Sequence, residues 1–174
     1  MRDIPWPAGI ALPDDPAYLA EVQDLLQSPT VREMQYYPQH GTTSCLEHCL
    51  AVSYFSYRTC RRLGYNARAA ARAGLLHDMF LYDWHTYRPA KGELLHGFTH
   101  ARRALENAER AFSLTALERD IILHHMWPLT LLPPRHKESY IVLLHDKSCS
   151  LRETLRLPYR KPLSLPAPRT GAYP

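Results

Sequence analysis

The sequence predicts an all-α protein, a single-domain bundle of about six or seven helices with an extended, proline-rich C-terminal tail. Three observations carry that expectation. No proline occurs from Ser44 to Arg88 or between Pro89 and Pro128, so long helices are permitted there. Apolar residues in those stretches recur at helical spacing. No alternating apolar and polar run of strand length stands out, and no internal repeat is visible. A length of 174 residues suits one core, and 45% hydrophobic against 22% charged residues excludes a disordered chain.

Taken in order, Asp14-Asp15-Pro16 reads as an N-cap followed by a first-turn proline. Leu19, Val22, Leu25 and Leu26 then mark a short amphipathic helix that ends before Pro29. A second short helical piece is expected from Pro29 to Tyr36, which completes an N-terminal extension over residues 1–39. The main helical domain, 40–156, opens with a capping box, Ser44-Cys45-Leu46-Glu47. The helix it starts carries Leu46, Leu50, Ser53, Tyr57, Cys60 and Leu63 at helical spacing and stops at Gly64. Asn66 caps an alanine-rich helix expected from Ala67 to about Phe80. Residues 81–95, with Trp84, His85 and Pro89, read as a loop that roofs a site. Further helices are expected at about Phe98–Phe112, from Ala116 (capped by Thr115) to about Met126, and at about Lys137–Leu155. The tail, 157–174, holds five prolines and should be extended.

The remaining composition narrows the class. No run of about 18 apolar residues exists, and the N-terminus lacks the apolar core of a signal peptide, so a cytoplasmic protein without a membrane span is expected. The four cysteines, Cys45, Cys49, Cys60 and Cys149, form no C-x-x-C and read as free, buried thiols. Residues 151–174 carry five basic side chains against one glutamate, but without a basic face this gives only weak support to nucleic-acid binding. A solvated tail is the simpler reading.

Ten histidines in so short a chain direct attention to chemistry. His77-Asp78 lies in Gly74-Leu75-Leu76-His77-Asp78-Met79-Phe80, where a charged carboxylate among Leu, Met and Phe is expensive unless paired or metal-bound. Other His and Asp residues sit on separate expected helices: His48, His96 or His100, His124 or His125, and Asp146. A lone histidine on such a face is usually an ordinary core residue, but inward-facing residues from five helices can converge on one metal site.

At residues 40–155 the chain resembles the HD-domain metal-dependent phosphohydrolases. The resemblance rests on His48 in Ser44-Cys45-Leu46-Glu47-His48, on the doublet His77-Asp78 after Leu75-Leu76, and on Asp146 in Leu143-Leu144-His145-Asp146-Lys147. His100-Ala101-Arg102-Arg103-Ala104 is similar to the H-P-x-x-G/A segment of members that bind two metals, with Ala101 in place of proline. His124-His125-Met126-Trp127-Pro128 and Phe80-Leu81-Tyr82-Asp83-Trp84 look like a small group of bacterial HD proteins. His100 is preferred to His96 because Ala104, Ala108 and Phe112 continue its face. His125 is preferred to His124 because Ile121 and Ile122 place it on the buried side.

The resemblance implies one metal held by His48, His77, Asp78 and Asp146, with Asp78 bridging to a second held by His100 and His125. The N/O ligand set suits iron, manganese or zinc. Two such cations could activate water for hydrolysis of a phosphate mono- or diester, with His77 and Asp78 at the catalytic centre and a small phosphorylated molecule as substrate. Arg72 and Lys147, with Arg135 and Lys137, are candidates for phosphate contacts, and Trp84 and His40 for contacts to the rest of the substrate. Each has an ordinary surface or packing role as its alternative. Two other readings use the same residues: a mixed-valence di-iron oxygenase of the HD fold, and a non-catalytic HD-like module with a structural metal. Substrate identity and oligomeric state are not legible.

Overall fold

The computed structural model describes residues 6–7, 9–90, 92, 94–157 and 159. Among them, seven α-helices follow one another: α1 Pro16–Gln27, α2 Pro29–Glu33, α3 Cys45–Leu63, α4 Ala67–Leu76, α5 His96–Ala111, α6 Ala116–His124 and α7 Lys137–Thr154. A 3-10 turn, Met34–Tyr36, follows α2, and two short strands, β1 Pro38–His40 and β2 Thr43–Ser44, precede α3. No described helix is long and apolar enough to cross a membrane. The tail expected at 157–174 lies outside the described residues apart from Leu157 and Tyr159.

The caps act where the side chains foretell. Asp15 accepts from the Tyr18 N–H at the start of α1, Asn66 from the Ala69 N–H at the start of α4, and Ser44 and Glu47 form the reciprocal box that opens α3. Thr115 and Glu118 form a second such box on α6. Gly64 ends α3 at φ 72°, a left-handed conformation in which a Cβ would be strained.

Helix α3 is the axis, with α4 and α7 packed against it. At Ser53 and Gly74 the α3 and α4 backbones approach closely: a Cβ added at Gly74 would lie 2.9 Å from the Ser53 Cα. The Ser53 hydroxyl donates to the Ala71 carbonyl at 2.6 Å and meets the buried Tyr18 hydroxyl at 2.9 Å. In this way α1 is tied into the same core, where Tyr18, Val22 and Leu25 are fully buried. Arg72 ties three helices together from α4, with a forked bond to Asp24 of α1 (2.5 and 2.8 Å) and a 3.2 Å pair with Glu118 of α6.

Two helices end sooner than their sequences suggest, by the same device. Helix α4 stops at Leu76, not near Phe80, because the His77 Nδ1–H donates to the Gly74 carbonyl at 2.8 Å. That carbonyl is the one the Asp78 N–H would need to continue the helix. Helix α6 stops at His124, not Met126, because the His125 Nδ1–H donates to the Ile122 carbonyl at 2.8 Å. The doublet thus sits in a turn, where the Asn107 amide donates to the Met79 carbonyl and Leu81 takes a positive φ of 59°. Strands β1 and β2 are a second departure. Three- and two-residue strands are too short to show alternation, yet they pair antiparallel, with Pro38 opposite Ser44 and His40 opposite Thr43, through a turn at Gly41. This hairpin hangs Gln39 and His40 over the N-terminal half of α3.

Candidate metal centre

The structure brings six side chains from five segments together. His48 comes from α3, His77 and Asp78 from the turn after α4, His100 from α5, His125 from the end of α6 and Asp146 from α7; all six are buried. One set of ligand atoms, from His48, His77, Asp78 and Asp146, lies within 4.8 Å of one another, and so does a second set from Asp78, His100 and His125. Asp78 belongs to both.

Each imidazole is oriented by its far nitrogen. Nδ1 of His48 meets Glu153 Oε2 at 2.8 Å. Nδ1 of His77 meets the Gly74 carbonyl, Nδ1 of His100 the His96 carbonyl (2.9 Å) and Nδ1 of His125 the Ile122 carbonyl. With every Nδ1 committed, the four Nε2 atoms point inward as the atoms that would ligate a metal, which is how a protein fixes histidine tautomers around one. Nε2 of His48 lies 3.2 Å from Asp146 Oδ1, and Nε2 of His77 lies 3.4 Å from Asp78 Oδ2. On the other side of Asp78, Oδ1 is 3.3 Å from His100 Nε2 and 3.4 Å from His125 Nε2.

Several atoms in this shell suit a cation and are left without another partner among the described residues. His77 Nε2 and Asp78 Oδ1 are buried without a hydrogen-bond partner. The Nε2 atoms of His100 and His125 face each other at 2.9 Å, although both rings already use their Nδ1–H elsewhere, so no proton is left to join them unless one ring is charged. Buried polar atoms without partners are costly, and a divalent metal with N/O ligands satisfies all of them. The donor set therefore fits the metals that the sequence suggests.

Electrostatics follow the same division. Burial works against ionisation throughout, but the His77 charge and the His100 and His125 rings beside Oδ1 hold the Asp78 carboxyl far below its usual range. The His48 bond and the nearby His77 ring do the same for Asp146. His48 is also opposed by burial, yet its bonds to Asp146 and Glu153 push it up to about 10. Burial lowers His125 instead.

The cluster forms the floor of a cleft of about 520 Å³ walled by Trp84, Tyr87, His96, Leu95 and Met126, with Gln39, His40 and Lys147 at its edge. The 81–95 loop contributes Trp84, Tyr87 and Pro89 to these walls. His96 stacks on His100 with ring centroids 4.5 Å apart, on Trp84 at 5.2 Å, and meets the Tyr82 hydroxyl at 2.7 Å. It is thus a wall over the cluster. His124 turns the other way, to Asp120 at 2.9 Å. Lys147 Nζ sits on Asp146 Oδ2 at 2.9 Å and reaches the cleft. His40 faces His48 edge-on at 5.5 Å.

Three cationic candidates lie elsewhere. Arg72 does not line the cleft, because its guanidinium is held by Asp24 and Glu118 as the tie between α1, α4 and α6. Lys137 lies over the Tyr65 ring, and Arg135 uses its backbone N–H on Asp120. Two participants escaped the sequence reading. Glu153, which also accepts from the Tyr159 hydroxyl, is seven residues after Asp146 and so lies on the same face of α7, a spacing that could have revealed it. Gln39 donates from Nε2 to Asp78 Oδ2 at 2.5 Å, and nothing in its sequence context signals that. The cysteines are free and buried as expected; Cys45 donates its S–H to the Asp78 carbonyl at 3.2 Å, and Cys49 lies 3.7 Å from His77 Nδ1.

Searches of curated proteins and of solved structures return no match. A family model described as the HD domain matches residues 45–149. That span opens at the first residue of α3 and closes on α7 beyond Asp146, so it contains all six converging side chains. With the greater part of its length matched, the chain belongs to the HD-domain superfamily of metal-dependent phosphohydrolases.

Proposed function

We propose that this protein hydrolyses a phosphate ester at a binuclear centre, with His48, His77, Asp78 and Asp146 holding one divalent ion, His100 and His125 holding a second, and Asp78 shared. The observation that carries the reading is the orphaned Asp78 Oδ1, buried and directed between two bare Nε2 atoms while its companion oxygen serves the other cluster. Bound cations would supply a water of lowered pKa and positive charge for phosphoryl oxygens. The protein's share is placement. Gln39 fixes the rotamer of Asp78, Glu153 fixes the tautomer of His48, and the Trp84–His96 wall keeps bulk water from one side of the cluster. Lys147, beside Asp146, supplies a fixed cation for the substrate phosphate, and His40 and Trp84 bound the space for the rest of the substrate.

The test is phosphate release from a panel of mono- and diesters by protein stripped of metal and reloaded with manganese, ferrous iron or zinc. Turnover is expected only with metal, with and without oxygen alike, and His77→Ala should abolish it while circular dichroism stays unchanged. Turnover that needs oxygen, or that survives in His77→Ala, would reject the hydrolase assignment.

A further inference from the structure

The cleft above the cluster is chemically two-ended. At its floor are the carboxylates, the imidazoles and Lys147, and among the described residues lining it Lys147 is the one side chain with a permanent positive charge. Its ammonium already rests on Asp146 and against the Met126 sulfur at 3.3 Å. Above the floor the lining turns apolar through Trp84, Tyr87, Pro89, Leu95 and Met126. The wall continues outward as a lip. Leu95 lines the cleft yet is 67% exposed, and Leu129 at 46% exposure sits so close to Gly97 that a Cβ there would lie 3.2 Å from its Cδ2. Large exposed leucines beside a cleft are the expected mark of an apolar ligand surface.

Resting on the hydrolase reading, we infer that the substrate is a phosphate monoester of an apolar alcohol, with its single phosphoryl group at the Lys147 end and its hydrocarbon body along the Trp84–Met126–Leu95 wall. A polyphosphate fits the same cleft poorly. Its further phosphates would lie along the apolar wall, where the described lining offers them no positive charge. An apolar body instead removes the lip from water, and each methylene so buried favours binding by a factor of about two to four.

The experiment uses the metal-loaded full chain and a series of n-alkyl phosphates from ethyl to octyl, which share a leaving-group type and differ in apolar length. The value of kcat/KM should rise about two- to fourfold per methylene until the chain outgrows the cleft. Adenosine triphosphate should be at least about tenfold poorer than hexyl phosphate. Leu95→Asp should cut the octyl-to-ethyl ratio by about tenfold. A flat series with measurable turnover, an unchanged ratio in Leu95→Asp, or a preference for adenosine triphosphate would overturn the inference and leave the hydrolase reading standing. Calorimetry with hexyl and ethyl phosphate separates the two ideas: length-dependent binding without turnover of any ester would keep the apolar monoester as the ligand of the cleft and reject the hydrolase reading, and length-independent binding would reject the inference.

Discussion

The two ligand clusters that meet at Asp78 are built in opposite ways. The first surrounds His48 and His77 with two carboxylates, and Glu153 stands behind His48. Without a cation it neutralises itself with protons, since the bonds from Asp146 and Glu153 outweigh burial and push His48 up to about 10. The second has no carboxylate of its own. His100 and His125 face each other through bare nitrogens at 2.9 Å, and burial keeps His125 below its usual value. A cation entering the first cluster would displace protons, whereas one entering the second would fill a gap that no other described residue fills. On the proposed binuclear reading, charge should make the first the tighter of the two.

Removing the shared residue gives the largest effect. Asp78→Ala should empty both clusters and lower turnover by about 1000-fold or more, since several kcal/mol of metal-borne stabilisation go with it. Metal content by mass spectrometry of the purified variant is the direct check, and a variant that still holds a full equivalent would break the idea that the clusters share Asp78. The next substitution separates the two. Among the six converging side chains Glu153 bonds to His48 of the first cluster, so Glu153→Gln acts there, and loss of a carboxylate behind a ligating imidazole typically weakens metal binding about 10- to 100-fold. A chelator titration should show the tighter equivalent weakened and the looser one unchanged.

Proton linkage sharpens the comparison further. His48 is charged in the metal-free protein at neutral pH, so filling the first cluster must release a proton, and apparent affinity should climb with pH toward about 10. Calorimetry in buffers of different ionisation enthalpy should report that release for the first equivalent and little for the second. The metal-free fold should show the same groups in its stability. The contribution of His48, raised on folding, is full below its ordinary 6.5 and is lost as pH rises through about 10. That of Asp78 and Asp146, lowered on folding, is present above the ordinary carboxylate range and is lost as acid titrates them. Above pH 6.5, where the histidines that burial lowers are neutral in both states, metal-free protein should melt lower as pH rises toward about 10. A melting temperature that instead rises steadily from pH 6.5 to 10 would mean that His48 is not the charged partner of these acids.

Helix number, caps and the apolar faces were legible because each is written locally, in Ser44 with Glu47, in Asn66 and in Gly64. The ends of α4 and α6 were not. There a histidine side chain takes the carbonyl that would prolong the helix, and only the folded site shows that these rings have that second use. His100 and His125 could be preferred over His96 and His124 from the apolar residues that share their faces. Arg72 misled because charge near the doublet says nothing of direction, and its partners, Asp24 and Glu118, are distant in sequence. Gln39 was illegible because it acts from a hairpin too short to leave a pattern.

The smallest effects concern two glycines, one beside each cluster. Gly74 supplies the carbonyl that orients His77, and a Cβ on it would meet the Ser53 Cα at 2.9 Å, a backbone atom that cannot move without shifting α3. Gly74→Ala should therefore cost about 1–3 kcal/mol of stability and loosen the tighter metal, because α3 carries His48 and α4 leads into His77. Gly97 stands one turn before His100, and its Cβ would meet only the end of the Leu129 side chain, at 3.2 Å. That side chain is half exposed and can turn away, and alanine is favoured over glycine within a helix by about 0.5–1 kcal/mol. Gly97→Ala should leave the metal-free melting temperature unchanged or slightly higher. Chemical denaturation of the two variants side by side tests the contrast. Equal losses in both would show that the second cluster rests on a scaffold as tightly packed as the first, whereas loss at Gly74 alone would locate the rigid half of the site at the α3–α4 crossing.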